Sequence, residues 1–163
     1  MTEDTSLDAA HLVDEVGGHV LPTARLVALF HGMQMRRFGG AAGLRDSGLL
    51  ESAVARGAQV LAYSGTGDIV EAACVIAEGI IRNHPFVDGN KRTAFAAMAS
   101  TLAVNGYRLE MKPVDAAQAV VDVAARNLTA EGFRNVVRAH AVPEPASDPT
   151  KRHPTTGETK FGS

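Results

Sequence analysis

The stretch His84-Pro85-Phe86-Val87-Asp88-Gly89-Asn90-Lys91-Arg92 runs straight into a small and apolar segment, Thr93 to Val104. The glycine-led bend at Gly89-Asn90 opens that segment, which reads as a buried, central helix from about Asn90 to Asn105. Asn105-Gly106 closes it in the left-handed conformation that a C-cap favours. Peptide N–H groups at such a helix start have no intrahelical partner, and together with the macrodipole they attract anions. Around that start the sequence sets a titratable base (His84), a metal-competent carboxylate (Asp88) and two fixed cations (Lys91 and Arg92). A histidine just upstream can take the proton of a hydroxyl aimed at a phosphate held there. The pattern points to phosphoryl or nucleotidyl transfer.

Working outward, Leu26, Val27, Leu29, Phe30 and Met33 recur at helical spacing between Thr23 and Arg37. Gly39-Gly40-Ala41-Ala42-Gly43 breaks that helix with a loop. Asp46 suits the N-cap of a helix through Leu49, Leu50, Ala53 and Val54. Asp68-Ile69-Val70-Glu71 has the spacing of a capping box and starts a helix that reaches about Arg82. Tyr107 to Met111 is the one convincing extended segment. Pro113 suits the first turn of a further helix, and Thr129 caps a last one through Phe133, Val136 and Val137. The predicted fold is all-α: a compact bundle of about six helices with a small flap, spanning residues 21–140. Residues 1–20 read as a variable N-terminal extension with at most a short helix around Leu7 to Val16. Residues 141–163, rich in Pro, Ser, Thr and Lys, read as a disordered tail.

At 163 residues the chain can bury one substantial core. Apolar residues at 45% and charged residues at 21% match a soluble globular protein. A formal charge of -2 and a pI near 6.3 argue against direct nucleic-acid binding. Cys74 has no cysteine to pair with, which favours a reducing compartment. No leader pattern opens the chain and no apolar run approaches the roughly 20 residues of a membrane span, so a cytoplasmic protein is expected.

His84-Pro85-Phe86-Val87-Asp88-Gly89-Asn90 resembles the Fic/Doc signature His-x-Phe-x-Asp/Glu-Gly-Asn at all seven positions. Upstream, Arg37-Phe38-Gly39-Gly40 and Gly43-Leu44-Arg45-Asp46-Ser47-Gly48-Leu49-Leu50-Glu51 look like the death-on-curing, or Doc, branch. Fic-type AMP transferases usually carry a second glycine where this chain has Lys91, and a second arginine where it has Phe95. A lysine fills the volume that a glycine leaves open to a phosphate chain, and losing the arginine removes a bidentate clamp.

The resemblance implies a Doc-type toxin kinase that holds ATP with its γ-phosphate toward the nucleophile and acts on a Ser or Thr hydroxyl of a protein. The family's target is elongation factor Tu, and phosphorylation there arrests translation. His84 is implied as the general base and Asp88 as the Mg²⁺ ligand. Gly89 and Asn90 would form the anion-binding bend, with Lys91 and Arg92 on the phosphates and Asn90 and Arg92 assisting the chemistry. Phe86 reads as a core anchor, and the Gly39 to Gly48 region as a flap that presents the target by strand addition. The implied partner is an antitoxin whose C-terminal segment folds over the toxin. Asn127-Leu128-Thr129-Ala130-Glu131-Gly132 has Asn where a self-inhibiting helix carries a hydroxyl residue, so inhibition in trans is expected. Two readings stand beside this one: a Fic-type nucleotidyl transferase, and a catalytically silent module that only binds an antitoxin.

Other residues fit structural roles. His11, His19, His31, His140 and His153 lack metal-ligand spacing. Cys74 reads as a buried hydrophobe, Met33, Met35 and Met98 as core filling, and Arg36-Arg37 as a helix-end pair favoured by the dipole.

Overall fold

The computed structural model describes residues 11–63, 65 and 67–145. It contains six helices: α1 (Ala24–Phe38), α2 (Ser47–Tyr63), α3 (Ile69–Asn83), α4 (Asn90–Val104), α5 (Pro113–Ala124) and α6 (Ala130–His140). Two small antiparallel pairs accompany them, β1 (Val13–Val16) with β2 (His19–Pro22) and β3 (Tyr107–Leu109) with β4 (Ala141–Pro143). The all-α bundle is as expected. No helix among the described residues is long and apolar enough to cross a membrane.

Local chemistry fixes the helix starts. Thr23 accepts from the Leu26 N–H, Asp46 Oδ1 from Leu49 N–H at 3.0 Å, Asp68 Oδ1 from Glu71 N–H at 3.0 Å, and Thr129 Oγ1 from Gly132 N–H at 3.0 Å. Each satisfies a donor that the helix itself leaves open. Pro113 occupies the first turn of α5, where its missing N–H costs nothing.

The most enclosed helix is α3, where every residue from Ala72 to Ile81 is buried. Two glycines let α2 approach it closely. A Cβ on Gly79 would lie 2.8 Å from the Ala53 Cβ, and one on Gly57 would lie 2.5 Å from Ile76 Cγ1. The sequence reading placed α4 at the centre instead. Small residues put one face of α4 against the core, through Ala94, Ala97, Met98 and Leu102, while Lys91 is exposed and Arg92 and Phe95 are part-exposed on another face. That second face is what the site requires.

Two further expectations need correction. Residues 13–22 form a hairpin rather than a helix, turning through Gly17 and Gly18 at φ 58 and 79. A two-residue turn with both φ values positive matches the twist of a strand pair. The hairpin is tied to the end of α4: Asn105 accepts from Val20 N–H at 2.9 Å and donates to Val20 O at 2.7 Å. At the other end, Ala141–Pro143 belongs to the fold, because it pairs with Tyr107–Leu109. The rest of the tail, residues 146–163, and the first ten residues lie outside the described part.

Candidate active site

The loop between α3 and α4 is held by contacts from three sides. His84 ends α3 in a left-handed conformation (φ 49, ψ 55) that costs a non-glycine residue energy. Arg45 holds it there, donating from Nε to His84 O at 2.8 Å and from a terminal nitrogen to Asn83 O at 2.9 Å. The guanidinium thus meets open carbonyls at the negative end of α3. Next, Pro85 O accepts from the N–H groups of Arg45 (2.7 Å) and Asp46 (3.1 Å), and Val87 N–H donates to Gly43 O at 3.0 Å. These bonds flank the Leu44–Phe86 bridge.

Phe86 is buried and stacks on the His31 ring, with centroids 4.0 Å apart and planes at 5°. His31 Nε2 lies 2.8 Å from Asp88 O, to which it donates. Asn90 closes the loop on itself. Its Oδ1 accepts from Phe86 N–H, and its Nδ2 donates to Phe86 O, both at 3.0 Å. Those two bonds settle the amide orientation, so Nδ2 also donates to His84 Nδ1 at 3.1 Å. With Nδ1 accepting, the neutral His84 ring carries its hydrogen on Nε2. Gly89 starts α4 at φ 73, and a Cβ there would come within 2.2 Å of the Met35 Cε. The positive φ favours glycine, and any side chain there would have to displace the Met35 terminus.

What this frame presents is a cavity of about 750 Å³, bounded by the loop, α1, α4 and α5. His84, Asp88, Gly89, Asn90, Lys91 and Arg92 all line it, so every site residue named from the sequence comes together. His84 and Asp88 are exposed, and Asn90 is buried, with its side-chain amide already committed to the loop and to His84. Asp88 accepts from Gly89 N–H at 2.7 Å and from Ala41 N–H at 3.3 Å. These bonds hold its carboxyl below the usual carboxylate range, with the charges of Arg92 and His31 adding to the effect. Arg92 donates to Gly39 O at 3.0 Å. A Cβ on Gly40 would lie 2.7 Å from Asp88 Oδ2 and 3.2 Å from an Arg92 nitrogen, so the glycine loop lies directly over the two.

Among the described residues no three His, Cys, Asp or Glu side chains form a metal-binding group. Asp88 nevertheless fits Mg²⁺, which is commonly bound by one or two carboxylates together with substrate phosphates and water. Each Asp88 oxygen keeps a lone pair beyond the hydrogen bond it accepts.

The site also includes residues assigned elsewhere by sequence. His31, read as lacking a site, fastens Asp88 and Phe86, and helical periodicity gives no sign of it. Met35 and Met98 are buried as expected, but Met33 is 57% exposed. Arg37, read as a helix-end charge, lines the cavity, and its guanidinium carbon lies 5.3 Å from the Phe38 ring centre, with that of Arg92 at 5.9 Å.

The sequence profile of the Fic/DOC family matches residues 21–102, just over half of the 163 residues. Over 73 residues the chain is 44% identical to the protein named Toxin Doc of Mycolicibacterium smegmatis, covering 44% of this chain and 56% of that one. The match therefore spans little more than half the length of that relative. Over 120 residues it is 29% identical to the protein named Protein kinase doc of Escherichia phage P1, covering 74% of this chain and 93% of that one.

Proposed function

The chain belongs to the Fic/Doc family, and on that premise we propose that it is the toxin of a toxin–antitoxin pair, a kinase that moves the γ-phosphate of ATP to a Ser or Thr hydroxyl of a protein. The observation that carries this reading is the convergence of an exposed histidine, an ionised carboxylate and two cations on the start of α4, inside one cavity. The names of the two relatives, a toxin and a kinase, support it.

In this reading the phosphates lie against the open N–H groups at the start of α4, with Lys91 and Arg92 beside them. His84 accepts the proton of the target hydroxyl as its oxygen attacks the γ-phosphorus. The bond from that phosphorus to the bridging oxygen breaks, and ADP leaves with the electron pair. Taking the proton at Nε2 requires the tautomer with hydrogen on Nδ1, which gives up the Asn90 contact. Arg92 stabilises the charge that develops on the transferring group. Asp88 would hold Mg²⁺, which would supply neutralisation of phosphate charge.

The flap offers a place for the target. The bonds from Val87 N–H to Gly43 O and from Arg45 N–H to Pro85 O flank the Leu44–Phe86 pair. Leu44's own N–H and C=O therefore point to the opposite edge, and the residue is exposed. An extended target segment can add there as a strand and bring its hydroxyl to His84. Elongation factor Tu is the target we assign, and an antitoxin whose C-terminal segment covers the cavity is the partner.

The test uses purified protein, elongation factor Tu, Mg²⁺ and ATP labelled on the α- or the γ-phosphate. Transfer of γ-label alone is expected, lost in His84→Ala. Transfer of α-label would instead make the protein a nucleotidyl transferase, and no label on elongation factor Tu would remove it as the target.

A further inference from the structure

Three successive carbonyls at the end of α3, those of Asn83, His84 and Pro85, all accept from one short stretch of the flap. The Arg45 guanidinium donates to the first two at 2.9 and 2.8 Å, and the N–H groups of Arg45 and Asp46 donate to the third at 2.7 and 3.1 Å. Arg45 is exposed, does not line the cavity, and pairs with no carboxylate among the described residues. Its side chain is committed to those two oxygens. What it holds is a rare conformation. His84 and Arg126 are the two non-glycine residues at positive φ among the described residues, and His84 still donates its own N–H to Ile80 O at 3.1 Å. A histidine leaves the left-handed region unless its surroundings hold it there. Relaxed to right-handed angles, the residue would shift its ring relative to α4, and with it the 3.1 Å contact with Asn90. A cation at the C-terminal end of a helix is often no more than a dipole contact, which a lysine serves as well. Here the donor is a planar fork that reaches two successive carbonyls, a geometry that an ammonium does not reproduce.

We propose that Arg45 is a positioning residue for His84: it fixes the left-handed turn that aims the imidazole, and so holds the base in one frame with the strand to which the target adds. This rests on the phosphoryl-transfer reading above, with His84 as the general base. The frame is continuous through one planar unit. In the Leu44–Arg45 peptide the N–H donates to Pro85 O, while the C=O faces the open edge, as a trans peptide requires. A target strand bonded to that carbonyl is tied through the same unit to Pro85, the residue next to His84. The rate of transfer in such an arrangement depends on the distance and angle between base and hydroxyl, not on how tightly the nucleotide is held. Arg45, outside the cavity, acts through that geometry alone.

The experiment compares the full chain with Arg45→Ala and Arg45→Lys, both at an exposed position. It reads γ-label transfer from ATP to elongation factor Tu, the melting temperature, and the ring-nitrogen NMR signals of His84, assigned by their absence from His84→Ala. Arg45→Ala should lower kcat by between about tenfold and a hundredfold, the scale of a catalytic group displaced by about 1 Å, and leave KM for ATP unchanged. Its His84 signals should move from the form with hydrogen on Nε2 toward an average of the two tautomers. Added guanidinium ion, far below the concentrations that unfold proteins, should recover part of the lost rate, and Arg45→Lys should stay below the parent. A parent-like kcat in Arg45→Ala, or His84 signals unmoved by the substitution, would overturn the proposal. A fall in kcat matched by a fall in melting temperature, with no rescue by guanidinium, would make Arg45 a structural cap and overturn it too. If the parent itself transfers no phosphate, the kinase reading fails and the His84 signals alone decide: displaced in Arg45→Ala they uphold the positioning role, and unmoved they end it.

Discussion

Two groups of cations in this molecule are handled in opposite ways. Between α3 and α6, Arg134 reaches Glu78 at 3.2 Å and Glu71 at 3.4 Å, and Arg138 meets Asp68 at 2.5 Å. Glu78 is buried, so its charge depends on that partner. Around the cavity, Arg37, Lys91 and Arg92 form no ion pair with a carboxylate among the described residues, and Arg92 reaches only a backbone carbonyl. One set is matched within the chain and joins two helices. The other has no such partner among the described residues, and in the proposed function it receives the phosphates of the nucleotide. Charge alone does not distinguish them; their partners do.

The sharpest way to break that contrast is at His84, the proposed general base. His84→Ala should reduce γ-phosphate transfer by about a thousandfold, the usual scale for a general base, with thermal unfolding unchanged. Arg92→Ala should follow, with transfer down about a hundredfold or more, judged by steady-state kinetics, and little change in stability. Arg134→Ala should do the reverse. It should destabilise the fold by about 2–3 kcal/mol in denaturant unfolding while nucleotide affinity holds, the value reduced because Arg134 is partly solvated. Comparable losses of stability in both arginine variants would end the distinction.

A smaller effect concerns Cys74, which lies near the matched set. Burial pushes its thiol up to about 12 from 9.0, and the Glu78 charge acts in the same direction. Folding therefore favours the protonated thiol. Its contribution is complete below about pH 9 and disappears as the pH rises from there to about 12. Unfolding curves of the parent chain and of Cys74→Ala should converge over that window. The thiol should resist alkylation at neutral pH until the protein unfolds.

The sequence revealed most where the determinants are local. Asp46, Asp68 and Thr129 each cap the helix that follows them, and Pro113 opens α5, because a cap needs only its own next few residues. Gly17-Gly18 carried a hairpin signal as well, but Val13 to Glu15 are exposed and show no alternation of apolar and polar faces. The hairpin depends on Asn105, which lies 85 residues from Val20 in the chain. In the same way, all six site residues lie within one loop and one helix start and were readable as a group. His31, Arg45 and Met35 secure that loop from distant segments. Spacing within one sequence does not show that a lone histidine on α1 will stack on Phe86 and hold Asp88.

The most direct test is to map modified hydroxyls by mass spectrometry across the proteome of cells expressing either the full chain or His84→Ala. The account predicts a phosphorylated Ser or Thr on a translation protein, present with the parent and absent with the variant. A nucleotidyl group at that hydroxyl, or the same phosphorylation with both chains, would contradict it.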